Sequence, residues 1–314
     1  MQVISGEQVA KALPWPALVE RIAALLRSGC EAPPRHHHSI ERPGGTATML
    51  LMPAWQHDGY IGVKMVHVFP QNADRGLPAI SGLYLLCEGD TGVPLACIDG
   101  SELTRRRTAA ASALAARYLA REDAGRLLMV GTGKLAPMLI EAHAAVRPIH
   151  SIGVWGRNPE KAETIAAEYR AKGFDCDAVT DLATAVSEAD IVTCATLSTA
   201  PLVHGEWLRP GTHLDLVGAF RADMRESDDE AVRCADVFVD THAGARGEAG
   251  DLRQAEASGA FDYDDIHADL EALARGEHPG RESADEITLF KSVGASLEDL
   301  AAAIEVWEQV GAPG

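Results

Sequence analysis

A glycine-rich turn in the middle of the chain has the composition of a phosphate-binding loop. It reads Gly131-Thr132-Gly133-Lys134-Leu135 and follows an apolar run at residues 126–130. A strand that enters such a turn and leaves it as a helix brings backbone N–H groups and the positive end of the helix dipole close to a pyrophosphate. A second apolar run at 150–155 completes the βαβ order of dinucleotide-binding folds. The turn predicts a dinucleotide site; the alternative is a tight strand–helix turn without a ligand.

The end of the second apolar run bears on the choice of cofactor. It reads Gly156-Arg157-Asn158-Pro159. An NAD-selective fold usually places a carboxylate at this strand end, where it bonds the ribose 2′-hydroxyl, whereas a guanidinium accommodates a 2′-phosphate. Because the acid is missing and an arginine follows, Arg157 and Asn158 are candidate cofactor residues that favour NADP over NAD. The alternative is a surface arginine at the start of a helix.

Three consecutive arginines, residues 105–107, lie in the second turn of a helix that Ser101 is predicted to cap. Cations near a helix N-terminus oppose its dipole. The triplet is therefore either a solvated basic patch or a site where an anion, a substrate carboxylate or a cofactor phosphate, compensates at least one arginine. Arg107 shares a helix face with Ala110 and Leu114, which predicts that it points inward.

A lysine lies in an otherwise apolar strand. Lys64 belongs to the run at residues 60–66, and its same-face neighbours are Gly62, Val66 and Val68. An ammonium group on an apolar surface needs a partner, or its pKa falls until it becomes neutral. Lys64 is thus either a functional cation or an edge-strand lysine that extends to water.

Three consecutive histidines, His36 to His38, raise the possibility of a metal site. On a strand, His36 and His38 would share a face, but no suitably spaced cysteine or carboxylate accompanies them. We therefore predict a polar strand or pocket wall and no metal.

Composition limits the class of protein. The chain has 314 residues and a formal net charge of −18, which argues against nucleic acid or an anionic membrane surface as the main partner. Its six cysteines contain no Cys-x-x-Cys pair, a pattern typical of free thiols in a reducing compartment. No signal peptide is recognisable, and no apolar run approaches the ~20 residues that span a bilayer. We predict a soluble, cytoplasmic protein.

Two kinds of periodicity divide the chain. Helical spacing at residues 17–28 is followed by four strands, 46–52, 60–68, 80–87 and 93–98, which predict a largely antiparallel unit. A long alanine-rich helix ending near Ala120 leads to alternating strands and helices from Arg126 onward, which predict a parallel sheet covered on both faces. Later strands are predicted at 174–179, 191–196, 213–218, 237–240 and 287–293. The last helix, 297–310, is placed back on the N-terminal unit.

In combination, several stretches of this chain resemble the ornithine cyclodeaminase/mu-crystallin family over nearly the whole length. They are Val63-Lys64 with Phe69-Pro70-Gln71-Asn72, Asp90 to Pro94, Thr104 to Ala113, Val130 to Gly133, Glu248 to Leu252, and Ile287 to Gly294. The resemblance implies an α/β fold in which a Rossmann-type doubly wound domain, residues 121–294, is inserted in a substrate-binding and dimerisation domain, residues 1–120 plus 295–314. It also implies a homodimer.

The resemblance assigns roles to individual residues. Arg35, Lys64 and Arg107 match residues that bind a substrate's α-carboxylate, and residues 131–135 match the pyrophosphate loop. Three more positions match residues that line the dinucleotide: Thr196, Val217-Gly218 and Val293.

Two departures from the family pattern bear on the substrate. Cyclodeaminases carry an aspartate after a Val-Gly-Gly stretch and a glutamate before Leu-Met-Pro, where this chain has Phe220 and Leu50. We therefore expect an NAD(P)-dependent enzyme that acts at the α-carbon of a small amino or imino acid and reduces a cyclic ketimine carboxylate such as pyrroline- or piperideine-2-carboxylate. Ornithine cyclodeaminase is the alternative enzyme. A non-catalytic, NADPH-dependent small-molecule binder is the alternative of another class.

Overall fold

The computed structural model describes residues 1–42 and 45–311. It divides into two compact units, residues 1–108 with 295–314 and residues 109–294. The last three residues of the predicted 295–314 segment lie outside the described residues. Within the residues described, no helix is long and apolar enough to cross a bilayer.

Strands dominate the N-terminal part of the chain, and strands alternate with helices in the rest. The N-terminal part contains β1 (Gln2–Ile4), α1 (Gly6–Ala12), α2 (Trp15–Ser28), β2 (His36–Arg42), β3 (Gly45–Trp55), β4 (Tyr60–Val68), β5 (Ile80–Glu88), β6 (Pro94–Asp99) and α3 (Gly100–Leu119). Next come β7 (Arg126–Val130), α4 (Ala136–Ala144), β8 (Ser151–Trp155), α5 (Pro159–Ala171), β9 (Asp175–Ala178), α6 (Leu182–Glu188), β10 (Ile191–Cys194) and β11 (His213–Leu216). The remainder is α7 (Asp229–Arg233), β12 (Asp236–Val239), α8 (His242–Glu248), α9 (Gly250–Ala257), β13 (Ile266–Asp269), α10 (Leu270–Arg275), β14 (Thr288–Lys291) and α11 (Ser296–Val306).

The first unit is built on a six-stranded sheet of order β1-β6-β5-β4-β3-β2. All neighbours pair antiparallel except β1 and β6, which are parallel. The largely antiparallel unit expected from strand spacing is thus confirmed. Strand β4 lies inside this sheet, so Lys64 is not on an edge strand.

Helix α11 packs on this sheet, and α2 packs on α11. The apolar face of α2 includes Leu18, Ile22 and Leu26, all buried, and Gly29 ends the helix with a φ of 83° that favours glycine. Helix α11 contacts α2 and strands β3, β4 and β5. Because α11 is buried along its whole length, every polar side chain on it needs a partner inside the unit.

Helix α3 differs from the expectation at its N-terminus. It begins at Gly100, and the acceptor for its first turn is Asp99, whose Oδ1 takes the Glu102 N–H at 2.7 Å. The prediction that Ser101 caps the helix is therefore wrong, because the carboxylate preceding the helix already supplies the cap. The division between the units falls within α3, between Thr108 and Ala109, rather than at its predicted end.

The second unit has a parallel sheet of order β13-β12-β14-β11-β10-β7-β8-β9. All seven neighbouring pairs are parallel. From β7 the chain first winds outward through β8 and β9, then returns to β10 on the other side of β7. This is the doubly wound, Rossmann-type topology, and its ligand crevice lies at the carboxyl ends of the strands beside this reversal.

Periodicity did not predict β2, which the sequence left open as a polar strand or pocket wall. It also missed β1 and β13, each four residues long or fewer. Such short segments are held by pairing with β6 and β12 rather than by a pattern of their own. The strands predicted to reach Thr196 and Gly218 end two residues earlier, at Cys194 and Leu216. Both residues consequently lie in loops at the carboxyl edge of the parallel sheet.

Candidate functional site

The glycine-rich turn follows β7 and is shaped by close backbone contacts. Gly131 has a φ of 127°, its N–H donates to the Trp155 carbonyl at 2.8 Å, and a Cβ at this position would lie 2.6 Å from the Ala195 carbonyl oxygen. A side chain is therefore excluded on steric and conformational grounds. A Cβ at Gly156 would lie 2.6 Å from Thr132 Cγ2, so the ends of β7 and β8 can approach closely only with glycine there.

The outer side of the same turn is open. A Cβ at Gly133 would meet nothing within 4 Å, and both Gly133 and Lys134 are exposed. Helix α4 starts immediately afterwards, and Leu135 gives it no side-chain cap. An uncapped helix start beside an exposed glycine suits an anion that bonds backbone N–H groups. The turn therefore has the shape expected for a pyrophosphate site.

The two residues predicted to select the cofactor lie in different environments. Arg157 is exposed at the end of β8. Asn158 caps α5, since its Oδ1 accepts the N–H groups of Glu160 and Lys161 at 2.9 and 3.2 Å. The Asn158 side chain thus caps a helix, whereas Arg157 is exposed to solvent.

A buried carboxylate and a buried ammonium support the loops after β10 and β11. Glu226 Oε1 accepts the Thr196 N–H at 2.6 Å and its hydroxyl at 2.8 Å. Lys291 Nζ, at the end of β14, donates to the Leu216 carbonyl at 3.1 Å and also to the Gly218 carbonyl. Glu226 and Lys291 are both fully buried. Two of the predicted dinucleotide positions are therefore held by charged side chains that the sequence reasoning did not single out.

The loop after β14 is held by a different acid. Asp240 Oδ2 accepts the N–H groups of Val293 and Gly294 at 2.7 and 2.6 Å, and its Oδ1 accepts the Thr241 N–H. Val293 itself is half-buried. All the predicted dinucleotide residues, from Gly131 to Val293, thus lie at the carboxyl edge of one parallel sheet.

The first unit contains a buried cluster of alternating charges. Lys64 Nζ lies 2.9 and 2.7 Å from the two carboxylate oxygens of Asp299. Arg107 Nε donates to Asp299 Oδ1 at 2.9 Å, and its Nη1 donates to Glu298 Oε2 at 2.6 Å. The exposed fraction of each of these four side chains is 6% or less. Lys64 is therefore not a solvated surface lysine, and Arg107 points inward as its helix face predicted.

Two acids of this cluster compensate the charge of Arg107. The sequence left a solvated patch or an external anion, and the structure instead supplies the chain's own Glu298 and Asp299 from the first turn of α11. The other two arginines of the triplet pair with Glu102 on their own helix. Glu298 and Asp299 were missed; the available signal was a pair of acids in the first turn of an otherwise apolar helix.

Electrostatics relate Arg35 to the same cluster. Burial lowers the pKa of Lys64 to about 8 against the attraction of Asp299, and the charges of Arg107 and Arg35 contribute to the lowering. Arg35 is half-buried and immediately precedes β2. The charges of Arg35 and Arg107 therefore both act on Lys64, the third of the cations that the resemblance assigns to a substrate carboxylate.

The two residues that depart from the family pattern, Leu50 and Phe220, lie in different elements. Leu50 is half-buried on β3, and Phe220 is 37% exposed after β11. Ala219, before Phe220, has a φ of 52°, a left-handed conformation unusual for a residue with a side chain. Asp223, the nearest acid along the loop, is exposed and paired with Arg221 through two contacts of 3.0 Å.

The three histidines lie on β2, an edge strand, and all are exposed. Among residues 1–42 and 45–311, no cluster of three or more His, Cys, Asp or Glu side chains is arranged to hold a metal ion. The exposed position of the three histidines on β2 agrees with the polar strand that the sequence favoured.

Known proteins are similar to this chain in sequence over nearly its whole length. The model of the ornithine cyclodeaminase/mu-crystallin family matches residues 7–313. Among curated proteins, the chain is 39% identical over 300 residues to Delta(1)-pyrroline-2-carboxylate reductase from Paracoccus denitrificans, covering 95% of this chain and 94% of that protein.

Two solved structures share the complete architecture. Delta(1)-pyrroline-2-carboxylate reductase from Thermococcus litoralis, in complex with NADH and L-proline, matches with a TM-score of 0.92 and 34% identity over 98% of this chain and 97% of that one. An archaeal alanine dehydrogenase dimer with bound NAD matches with a TM-score of 0.92 and 29% identity, covering 99% and 98% of the two chains.

Proposed function

The chain belongs to the ornithine cyclodeaminase/mu-crystallin family, and we propose that it reduces a cyclic ketimine carboxylate, pyrroline- or piperideine-2-carboxylate, with a nicotinamide dinucleotide. The observation that carries this proposal is the buried pair of cations Lys64 and Arg107, held by two acids of α11, combined with apolar Leu50 and Phe220 where cyclodeaminases have acids. The names of the Paracoccus and Thermococcus relatives support it.

The proposed carboxylate site consists of Arg35, Lys64 and Arg107. Asp299 contacts both Lys64 and Arg107, and Glu298 contacts Arg107, so the two buried cations are held in place by acids of the chain itself. An ammonium and a guanidinium whose directions are fixed by Asp299 can form charge-assisted hydrogen bonds to a substrate carboxylate. The bound dinucleotide supplies the hydride, and the protein's contribution is to orient the imine and exclude water.

Lys64 is the proposed proton donor to the imine nitrogen. Burial lowers the pKa of Lys64 to about 8, which is close to neutral pH. An acid in this range is protonated at pH 7 and still transfers its proton readily.

This assignment predicts the pH dependence of the reaction. Above pH 8 the Lys64 ammonium loses its proton, so it neither attracts a carboxylate nor supplies a proton, and kcat/KM is expected to fall as the pH rises through about 8. A Lys64→Arg variant keeps its charge throughout this range, so its residual activity should lack that descending limb. Since the titration of the substrate is common to both proteins, identical descending limbs would contradict the assignment.

The cofactor is a nicotinamide dinucleotide, and we propose a preference for NADP(H) over NAD(H). Support comes from Arg157, exposed at the strand end where an NAD-selective fold carries an acid. The Thermococcus and archaeal structures contain NADH and NAD, so this preference would distinguish the chain from those relatives.

Fluorescence titration with both cofactors tests the preference. NADPH should bind more tightly than NADH to the wild-type protein, and Arg157→Ala should weaken NADPH binding about tenfold or more while NADH binding is unchanged. Arg126→Ala is the matched control, because Arg126 is also exposed but lies at the amino end of β7. Equal affinities in the wild-type protein would contradict the NADP preference.

Two other functions remain to be separated from this one. Ornithine cyclodeamination would release ammonia, and a non-catalytic NADPH-dependent binder would consume no cofactor. Following NADPH absorbance with a cyclic ketimine separates the enzyme from the binder.

We also propose a homodimer, which the archaeal alanine dehydrogenase dimer supports. A cytoplasmic location is proposed as well, and six free thiols are consistent with it.

A further inference from the structure

A second buried charge cluster lies beneath the carboxyl edge of the parallel sheet, and we refer to Glu226, Asp251 and Lys291 as the strand-end cluster. All three are fully buried. Asp251 Oδ1 accepts the backbone N–H groups of Glu226 and Ser227 at 2.7 and 2.9 Å, while Asp251 Oδ2 lies 3.4 Å from Lys291 Nζ. Asp251 thus holds the backbone that carries Glu226.

Two loops converge on this cluster. Glu226 holds Thr196 by its N–H and hydroxyl, and Lys291 holds the carbonyls of Leu216 and Gly218. A Cβ at Gly218 would lie 2.4 Å from Glu226 Oε1 and 2.4 Å from the Thr196 carbonyl oxygen. The two loops are therefore packed against the same carboxylate, and a shift of Glu226 would move both.

Burial of the Glu226 carboxylate is energetically unfavourable. Glu226 Oε2 has no hydrogen-bond partner among the described residues, and burial raises the pKa of Glu226 to about 7 although Lys291 opposes the rise. A buried acid with an unsatisfied oxygen destabilises a fold. Such a cost is typical of a functional region, where precise placement of a surface outweighs stability.

The surface that the cluster supports faces solvent at the ligand end of the sheet. Thr196 is half-exposed, and Leu197 next to it is 72% exposed. In a doubly wound fold, a dinucleotide lies across the reversal beside β7. If the adenosine half lies at the β8 side, near Arg157, the nicotinamide half lies at the β10 and β11 side.

We propose that Glu226 is a positioning residue for the nicotinamide half of the dinucleotide, fixing the Thr196 and Gly218 loops through one carboxylate. This inference rests on the proposed function in taking Thr196 and Gly218 as dinucleotide-lining residues and in placing the adenosine half near Arg157. It requires no contact between Glu226 and the ligand. Loss of Glu226 should therefore weaken binding of the nicotinamide end without affecting the adenosine end.

Comparing NADH with ADP-ribose tests this directly, because ADP-ribose lacks the nicotinamide. We expect Glu226→Ala to raise the Kd for NADH about tenfold or more and to leave the Kd for ADP-ribose within about twofold. Glu226→Gln keeps an oxygen that accepts both Thr196 donors, so it should restore most of the NADH affinity. Glu226→Asp keeps the charge but cannot reach Thr196, and it serves in place of the alanine variant if that variant does not fold.

Asp190→Asn is the structural control. Asp190 is also buried and accepts the N–H groups of Gly125 and Arg126, but at the amino edge of the same sheet. The Asp190→Asn substitution should lower the melting temperature and leave the Kd values for NADH and ADP-ribose unchanged. Equal weakening of NADH and ADP-ribose by the Glu226 variants, or NADH affinity within twofold of wild type, would overturn the proposal. Absence of ketimine turnover in a wild-type protein that binds NADH would reject the proposed function and leave this inference standing.

Discussion

The purified protein is expected to oxidise NADPH with Δ1-pyrroline-2-carboxylate and to release little or no ammonia from L-ornithine. Cyclodeamination requires the δ-ammonium group of ornithine to enter a site from which water is largely excluded. Without a carboxylate partner, the desolvation penalty is several kcal/mol, which corresponds to a rate reduced about 100-fold or more. Leu50 and Phe220 provide no such partner, and the nearby Asp223 is already paired with Arg221.

Three assays decide this prediction. Ammonia and proline formation from L-ornithine with catalytic NAD(P) are measured beside NADPH oxidation by the ketimine, with the same enzyme preparation. Turnover of the ketimine alone supports the proposed function. Robust ornithine turnover would reverse the choice between the two enzymes, and Asp223→Asn would then be the first variant to examine, since Asp223 lies closest in sequence to the missing acid.

Replacement of Lys64 by methionine should affect stability and catalysis together. The substitution leaves Asp299 buried without one of its two cations, and breaking a buried ion pair costs about 3–5 kcal/mol of unfolding free energy. Loss of a charge-assisted contact to the substrate carboxylate should also lower kcat/KM about tenfold or more. Denaturant unfolding and steady-state kinetics with a ketimine measure the two effects separately.

A double variant separates the structural role of Lys64 from its functional role. In Lys64→Met with Asp299→Asn, the uncompensated carboxylate is gone and Arg107 keeps Glu298, so the free energy of unfolding should recover in part. The kcat/KM should not recover, because the carboxylate-binding ammonium is still missing. Recovery of both would show that Lys64 serves folding alone. Lys11→Ala, at an exposed lysine paired with Glu7, should change stability by less than about 0.5 kcal/mol.

Local sequence patterns were sufficient to predict most of the fold. Period-two runs predicted β3 to β6 closely, and the alternation after Arg126 predicted a parallel sheet, to which the family resemblance added the doubly wound order. The patterns were sufficient because burial of one face, or of both, leaves a periodic signal in the sequence. Of the strands that they did not predict, β1 and β13 are too short for a period and exist because a neighbouring strand pairs with them. Strand β2 is mostly exposed, so it has no buried face to leave a pattern.

The sequence by itself indicated that Arg107 points inward, that Lys64 on its apolar strand face needs a partner or access to water, and that the turn after β7 is tight and glycine-rich. Each of these follows from a rule that acts over one turn or one strand: side chains on a buried face need partners, and a tight βα turn excludes Cβ. The periodicity of α11 also indicated a helix that needs an apolar surface to pack on.

Only the tertiary structure decided which groups compensate the buried charges. Lys64 is 235 residues from Asp299 along the chain, and Arg107 is 191 residues from Glu298, so no local pattern relates them. The same holds for Glu226 with Thr196 and for Lys291 with Gly218. A buried charge determines that a partner must exist, but the identity of that partner depends on which distant segments the fold brings within about 3 Å, the range of a hydrogen bond.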